Sequence, residues 1–260
     1  SIRFNLPLEE ARRFNVKTTE QLISFAKECP NLIRFGFVST ALVAGNRSGV
    51  IMEDEFEHEK GFKNTYEQTK YEAETLVRAE QRSLPIAIFR PPLIITPPLK
   101  GSGKKPVNFL QLALFFVARG CLPFIPGSED STIDLVSGKD AAKVICELLL
   151  KSTLRHMTYH VSNGTRAPTI KVIHSAMERE LGKHIPLEYS GDLESFKRQV
   201  RKIPWYLTAT RQAYRRSSTF LPEAAFPKIF DNRYTLAELG ISKIGEDPIE
   251  TLRLIINKNL

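Results

Sequence analysis

The chain has 260 residues, of which 42% are hydrophobic and 25% charged, a composition typical of a globular protein with a sizeable core. Three widely spaced cysteines argue against a disulfide framework and predict a reducing compartment, the cytoplasm. The net charge is +8, but residues 195–220 alone carry seven basic residues and no acidic one. A uniformly basic, nucleic-acid-binding surface is therefore excluded, and one basic patch needs an explanation.

No stretch reaches the ~18 uninterrupted apolar residues of a membrane-spanning helix. The longest apolar stretch covers residues 106–118 and is followed by Arg119. The first residues, SIRFNLPLEEARR, lack a basic head and an apolar run, which predicts that they are not a signal peptide.

The first part of the chain alternates between helical and strand patterns. Apolar residues at helical spacing predict a helix, or two in series, over residues 8–29. A short apolar run at 32–40 predicts a buried strand, and a loop rich in Gly, Asn and acidic residues covers 44–63. A charged helix is predicted over 64–83 and a second strand over 86–95. This order favours parallel βαβ units.

The second part of the chain is mostly helical, with the strand-like pieces STIDLV and HMTYHVSN between the helices. This change in pattern predicts a smaller, mixed, substrate-side part. Its predicted helices cover residues 107–119, 138–151, 168–181, 193–201 and 248–257. The apolar run 109–117 either lines an acyl tunnel or forms a core helix.

The predicted loop after residue 44 carries the acidic run EDEFEHE, which begins at Glu53. Its spacing is not that of a calcium-binding loop, so a solvated acidic loop is favoured and no metal site is assigned. Neither HExxH nor GxSxG occurs in the chain, so a zinc protease and a serine hydrolase have no support.

Tyr66 and Lys70 stand four residues apart in the predicted charged helix, so both side chains lie on one face. An ammonium close to a phenol favours the phenolate and lowers the tyrosine pKa. Such a tyrosine can exchange a proton with a carbonyl oxygen. The alternative interpretation is a surface packing pair without a chemical role.

Several segments resemble, in order, the motifs of the extended short-chain dehydrogenase/reductase family, part of the NAD-dependent epimerase/dehydratase superfamily. NTYEQTKYEAE resembles the YxxxK signature, FVSTALVAG the strand-end Ser/Thr motif, RFNVKTT the NVxGT motif and FRPPLII the RPxxI strand. IDLVSGKDAAKVI and TYHVSNGTRAPTIKVIHSAMERELGK resemble later segments. The start of the chain is most similar to the thioester-reductase and fatty-acyl-reductase-like branch.

The resemblance implies an α/β fold, namely the C-terminal part of a Rossmann-type doubly wound parallel sheet with a smaller, mainly helical substrate lobe. Residues 1–105 would form a partial NAD(P)-binding domain, and 106–260 mainly a substrate-binding lobe with segments returning to the sheet. The family's Gly-rich turn is not in this chain, and the first strands are expected to be missing with it. A fragment and a natural form without the turn both stay open.

The same resemblance assigns roles to individual residues. Tyr66 would be the acid, Lys70 would tune it and hold the nicotinamide ribose, Thr40 would polarise the carbonyl, and Asn15 would steady a water. The cofactor would be NADP or NAD, with NADP favoured. The residues implied in binding it are Ser39, Tyr66, Lys70, Pro91, Leu93 and Ile94.

The implied activity is reduction of a carbonyl, in a fatty-acyl thioester or aldehyde. Two alternatives use the same scaffold: a sugar-nucleotide epimerase or dehydratase, and a hydroxysteroid-type dehydrogenase. A third is a non-catalytic binding module, because the phosphate-binding Gly-rich loop is absent from the sequence.

The basic patch mixes its cations with the aromatic residues Phe196, Trp205 and Tyr206. In a thioester reductase it could receive the phosphates of coenzyme A, the acidic face of an acyl carrier protein, or anionic lipid in a peripheral membrane contact. The alternative is a solvated helix face in a lid. Its cations are Lys197, Arg198, Arg201, Lys202, Arg211, Arg215 and Arg216.

Overall fold

The computed structural model describes residues 4, 6–96 and 109–259. The helices are α1 (Leu8–Arg12), α2 (Thr18–Lys27), α3 (Thr65–Ala79), α4 (Phe109–Ala118), α5 (Gly138–Leu150), α6 (Ile170–Leu181), α7 (Leu193–Arg201), α8 (Thr208–Ser217), α9 (Arg233–Leu239) and α10 (Pro248–Asn259). The strands are β1 (Phe35–Val38), β2 (Gly49–Ile51), β3 (Ile86–Arg90), β4 (Leu93–Ile95), β5 (Phe124–Ile125), β6 (Leu135–Ser137), β7 (Thr158–His160), β8 (Glu188–Tyr189) and β9 (Lys228–Phe230).

The central sheet has the order β1–β3–β7, and all its strands are parallel. Phe35 lies opposite Ile86, and Ile88 lies opposite Thr158. Strand β3 runs through the middle and is almost fully buried, which explains its apolar sequence IAIFR. The predicted parallel α/β architecture is confirmed.

Smaller parallel pairs extend this architecture: β4 with β6, β2 with β9, and β5 with β8. The pair β2–β9 joins Gly49 to Lys228, and it lies where the sequence predicted a loop over residues 44–63. The correction arises because this strand has only three residues, too few for a periodic pattern. Late segments of the chain therefore return to strands formed early.

The helical start of the chain is continuous but not uniform. Residues Arg13–Lys17 form a π-helical turn between α1 and α2. A π-helical turn contains extra backbone, so it rotates the following side chains around the helix axis, and such turns are frequent at functional sites. The sequence predicted helix here but not the π turn, and Asn15 lies inside it.

Two hydrophobic clusters pack the helices and strands that carry the candidate site residues. Ile23 and Ala26 of α2 pack with Val77 of α3 and Ile88 of β3. A larger cluster joins α4, α6, α8 and α10 in the later part of the chain, and Tyr66 packs against it. Helix α8 was not predicted, because its sequence TATRQAYRRS is mostly polar and buries only a narrow side.

The predicted domain boundary between residues 105 and 106 lies outside the described residues, as does the Gly/Lys-rich segment before it. Among the described residues, no helix is both long and apolar enough to cross a membrane.

The acidic run after β2 is not simply solvated, contrary to the expectation from sequence. Glu53 is only 1% exposed. It accepts hydrogen bonds from the backbone N–H groups of His160 (2.8 Å) and Tyr234 (2.5 Å), and from the Thr235 hydroxyl (2.9 Å). Burial raises the pKa of Glu53 to about 7. The carboxyl group therefore ties this loop to β7 and to the start of α9.

Candidate functional site

The candidate site lies where α3 begins beside the carboxyl end of β1. Asn64 caps α3: its Oδ1 accepts from the Glu67 N–H at 2.9 Å, and its Nδ2 donates to Glu67 Oε1 at 3.0 Å. This reciprocal cap fixes the first turn of the helix. Tyr66 lies in that turn and Lys70 follows one turn later.

Thr40 lies two residues after the end of β1 and is buried. Its hydroxyl donates to the Pro91 carbonyl at 3.3 Å and accepts from the Leu42 N–H at 3.3 Å. The Thr40 side chain is also close enough to the Tyr66 hydroxyl to influence the pKa of that phenol. The two hydroxyl groups that the sequence assigned to one carbonyl oxygen are therefore together.

Burial raises the pKa of Tyr66 to about 12, and the neighbouring Thr40 hydroxyl offsets only part of this effect. The ring of Phe4, 4.8 Å away between centroids, contributes to the apolar surroundings. At neutral pH the Tyr66 side chain is therefore a neutral phenol, the form that can donate a proton.

Lys70 reaches the same strand end by another route. Its Nζ donates to the Val38 carbonyl at 2.8 Å and lies 4.5 Å from the centre of the Phe37 ring. Burial lowers the pKa of Lys70 to about 8, although the charge of Glu74 acts in the opposite direction. The expected lowering of the Tyr66 pKa by Lys70 is not found: Lys70 is not among the groups that shift this pKa, and its ammonium donates to the Val38 carbonyl.

Asn15 is buried, 8% exposed, and lies against α3. Its Nδ2 donates to the Thr69 hydroxyl at 2.9 Å, and Thr69 precedes Lys70. The backbone carbonyl of Asn15 accepts from the Thr19 hydroxyl at 2.7 Å. The π-helical turn therefore brings Asn15 beside the predicted site. Its role in steadying a water stays a prediction.

Ser39 precedes Thr40 but its side chain points elsewhere. Its hydroxyl donates to Glu74 Oε2 at 2.5 Å. Glu74 is fully buried and also accepts from Arg90 at 2.6 Å and from Arg78 at 2.9 Å. These charges hold the pKa of Glu74 below its usual range despite burial. The sequence missed this cluster, because its four members come from three separate elements: the end of β1, helix α3 and the end of β3.

The remaining predicted cofactor residues lie at the end of β3 and in β4. The Pro91 carbonyl accepts from the Ala41 N–H at 2.8 Å, which joins the two strand ends. Leu93 is half-buried, and Ile94 is 40% exposed in β4. Strand ends of an open parallel sheet are where such folds bind ligands.

The side chains at this edge fit a nicotinamide cofactor in their chemistry. The Lys70 ammonium has three donors, and one of them is used by the Val38 carbonyl. The other two suit the hydroxyls of a ribose. Ile94 offers an exposed apolar surface for a flat ring. Among the described residues, no group of His, Cys, Asp and Glu side chains is arranged to hold a metal ion.

An apolar cavity of about 70 Å³ lies in the later part of the fold. Its wall includes Leu114 of α4, Ile173 of α6 and Phe220, and its polar lining residue is His174. The His174 Nε2 is engaged with the Ile185 carbonyl at 2.9 Å. Since about 10–15 Å³ of such volume holds one water-sized group, the cavity has room for roughly five methylene groups.

A groove of about 360 Å³ lies between α7 and α8. Phe196 and Tyr214 are buried in it, and four exposed cations line it. These cations, here called the groove cations, are Lys197, Arg201, Arg211 and Arg215. The sequence-predicted basic patch is therefore in part a concave surface.

A profile of an NAD-binding family described as male sterility protein matches residues 1–145, more than half of the chain. The chain belongs to this family. The resemblance predicted from the motifs is thereby confirmed, including its fatty-acyl-reductase-like branch.

Curated proteins that are similar to this chain are described as fatty acyl-CoA reductases. Fatty acyl-CoA reductase wat of Drosophila melanogaster is 32% identical over 121 residues, which cover 37% of this chain and 23% of the relative. Fatty acyl-CoA reductase 1 of Gallus gallus is 30% identical over 168 residues, which cover 52% and 32%. The chain thus spans a third or less of the length of these relatives.

Solved structures confirm the fold. The terminal R domain from the myxalamid PKS-NRPS biosynthetic pathway has a TM-score of 0.75 at 22% identity, covering 99% of this chain and 66% of that one. UDP-glucuronic acid 4-epimerase from Bacillus cereus, in complex with NAD, has a TM-score of 0.64 at 18% identity, covering 95% and 68%. Both are matched over nearly the whole of this chain.

Proposed function

We propose that the protein carrying this chain is an NAD(P)-dependent reductase of the short-chain dehydrogenase/reductase type. The observation that supports this most is the meeting of Thr40, Tyr66 and Lys70 at the carboxyl end of β1. We also propose the division into a partial cofactor domain, residues 1–105, and a substrate lobe, residues 106–260. The strands formed early in the chain support this division. The pairing of β9 with β2 runs across it, because a late segment joins an early strand.

In this proposal Tyr66 is the proton donor. Its raised pKa, about 12, keeps the phenol protonated until a carbonyl oxygen begins to gain charge. The Thr40 hydroxyl turns from the Pro91 carbonyl to give that oxygen a second hydrogen bond. The bound nicotinamide supplies the hydride.

The other residues would position the cofactor. Lys70 holds ribose hydroxyls with the donors not used by Val38. Pro91, Leu93 and Ile94 would line the nicotinamide. Ser39 contributes through Glu74, which keeps the strand end in place. NADPH is the first cofactor to test, with NADH as the comparison.

We propose a fatty-acyl thioester, or the derived aldehyde, as the substrate. The apolar cavity supports this choice, because a nucleotide sugar needs polar partners and this lining offers mainly hydrocarbon. The same large cluster contacts both the cavity wall and Tyr66. The cavity would take the end of the acyl chain.

We further propose that the groove cations bind the phosphates of coenzyme A, or the acidic face of an acyl carrier protein. Arginine suits phosphate groups because its guanidinium donates in a fixed fork. A double substitution of Arg201 and Arg215 by alanine should then raise KM for the acyl-CoA and leave KM for the free aldehyde unchanged.

The proposal is tested by supplying the full-length protein with acyl-CoA esters of increasing chain length and following NADPH oxidation. An Ala113→Phe substitution, at the cavity wall, should reduce turnover of long chains more than of short ones. Turnover of a UDP-sugar with none of acyl-CoA would favour the epimerase alternative. A protein that neither binds NADPH nor turns over any of these would support the binding-module alternative.

A further inference from the structure

The linker between α7 and α8 carries three exposed side chains with large apolar parts in succession. Trp205 is 81% exposed, Tyr206 is 64% exposed and Leu207 is 43% exposed. They follow Pro204 at the turn of the helical hairpin, which comprises residues 193–217. Exposing three such neighbours is unfavourable in water, and contiguous apolar patches of this kind mark interaction surfaces.

Three cations of the hairpin do not line the groove and are exposed: Arg198, Lys202 and Arg216. We call them the outer cations. Among the ion pairs of the described residues, one hairpin cation has a carboxylate partner, namely Lys197 with Glu194 at 2.8 Å. Arg198 is hydrogen-bonded to the Ser195 hydroxyl at 2.9 Å. Arg198 is close enough to Asp192 and Glu194 for its charge to help lower the pKa of both carboxyl groups. Lys202 and Arg216 have no carboxylate partner among the ion pairs of the described residues.

Trp and Tyr beside Lys and Arg form the combination that prefers the boundary between lipid headgroups and acyl chains. The aromatic rings enter the boundary, while the cations meet anionic headgroups. Binding of coenzyme A phosphates or of an acidic carrier protein would explain the cations. It would not explain why the apolar side chains from Trp205 to Leu207 are exposed.

We propose that the tip of the α7–α8 hairpin docks on an anionic phospholipid surface. Trp205, Tyr206 and Leu207 enter the interface, and Lys202 at the tip and Arg198 one turn behind it contact the lipid headgroups. Arg216, in the last turn of α8, adds to the attraction of the hairpin for an anionic surface. The docking is peripheral and does not depend on the proton chemistry of Tyr66, so it can be tested apart from the reductase proposal. It would bring the hairpin to a surface where long acyl chains partition.

The experiment uses Trp205 as a built-in probe, because it is the only tryptophan of the 260 residues. The chain is mixed with vesicles of phosphatidylcholine alone, or with phosphatidylserine added, and its emission and cosedimentation are measured. Docking shifts the Trp205 emission to shorter wavelength with the anionic vesicles only. Higher salt weakens the effect, because exposed charges are screened.

A charge-reversal variant, R198E/K202E/R216E, should weaken vesicle binding by at least about a hundredfold, since each cation near the surface contributes roughly fivefold and the new carboxylates add repulsion. The matched control, K60E/R82E/K139E, has the same net charge and changes exposed cations elsewhere. It should retain most of the binding. A Tyr206→Ser/Leu207→Ser variant keeps the probe and should lose the emission shift.

Equal losses in the two triple variants would overturn the proposal, because net charge alone would then explain the binding. An unchanged Trp205 emission with anionic vesicles would overturn it as well. Trp205 emission that responds to an acidic acyl carrier protein but not to vesicles would assign the tip to a protein partner instead.

Discussion

Helix α3 and the α7–α8 hairpin are both rich in charge, but they use it in opposite ways. Around α3 the charges are buried and paired: Glu74 contacts Arg90 and Arg78, with Glu74 and Arg90 almost fully inaccessible. In the hairpin the cations are exposed, and one of them, Lys197, pairs with a carboxylate among the described residues. The same residue types therefore serve structure in one region and recognition in the other.

The difference shows that the number of charges in a segment says little about their use. Removing one member of a buried ion pair leaves the other charge buried, with neither solvent nor an opposite charge to stabilise it. Buried ion pairs therefore fix the positions of the segments that carry them. The Glu74 cluster holds Ser39, and therefore the strand end that carries Thr40. Exposed charges contribute little to folding and stay available to a ligand.

The largest expected effect is on stability, from Glu74→Ala. The substitution leaves Arg90 buried without a carboxylate, and we expect a loss of about 3–5 kcal/mol in the free energy of unfolding. Chemical denaturation measures it. The control is Glu194→Ala in α7, whose exposed partner is Lys197, with a change below about 0.5 kcal/mol. Similar losses in both variants would remove the distinction between the regions.

The second prediction contrasts two aspartates whose pKa values are shifted in opposite directions by the fold. Burial raises the pKa of Asp134 to about 6, although hydrogen bonds from Asn163 act against this. The folded protein therefore binds this proton more tightly than the unfolded chain. The stabilisation is complete below the unfolded pKa, near 3.8, and is lost as pH rises through about 6.

Unfolding at several pH values should show that Asp134→Asn removes a decline of up to about 2–3 kcal/mol between pH ~4 and ~7. A pH-independent difference in the free energy of unfolding between variant and wild type is not diagnostic. A changed slope of this free energy against pH is. At exposed Asp192, hydrogen bonds from Ser195 lower the pKa, so its stabilisation is lost as pH falls. Asp192→Asn should therefore change the slope with the opposite sign and at lower pH.

The third prediction compares the caps of α3 and α7. Asn64 accepts from the Glu67 N–H at 2.9 Å, and Asp192 accepts from the Ser195 N–H at 2.9 Å. Each alanine substitution should cost about 1 kcal/mol in thermal unfolding. In the full-length protein only Asn64→Ala should also lower kcat, because Tyr66 lies in the capped turn. A lower kcat in Asp192→Ala alone would contradict this placement.

The smallest effect is expected in the hairpin itself. Arg216→Ala removes an exposed cation without a carboxylate partner among the residues described. The free energy of unfolding should change by less than about 0.5 kcal/mol, measured by the same thermal unfolding. A loss as large as that of a cap would mean that this charge serves the fold.

Much of the fold was predictable from local patterns. The apolar runs of β1 and β3 and the spacing of Tyr66 and Lys70 specify a strand–helix–strand unit without any knowledge of distant contacts. These features depend on residues close in sequence, where periodicity and capping act directly. Thr40 came instead from the resemblance of the ordered motifs to a family, and its role stays a prediction.

The rest depends on contacts between distant segments. The Lys70 ammonium faces the Val38 carbonyl because β1 ends beside it, and no pattern in the helix shows this. Glu53 looked like part of a solvated loop, but β7 and α9 supply its backbone donors. Helix α8 has a mostly polar sequence and becomes a helix through packing of Tyr214.

The most direct test of the central claim is the rate of acyl-CoA reduction by the full-length protein with Tyr66→Phe, measured beside Tyr206→Phe. Tyr66→Phe removes the hydroxyl that contacts Thr40, and Tyr206→Phe removes one at the exposed hairpin tip. We predict that Tyr66→Phe lowers kcat by about 10²–10⁴-fold while Tyr206→Phe retains it. Wild-type turnover in the Tyr66→Phe protein would contradict Tyr66 as the proton donor.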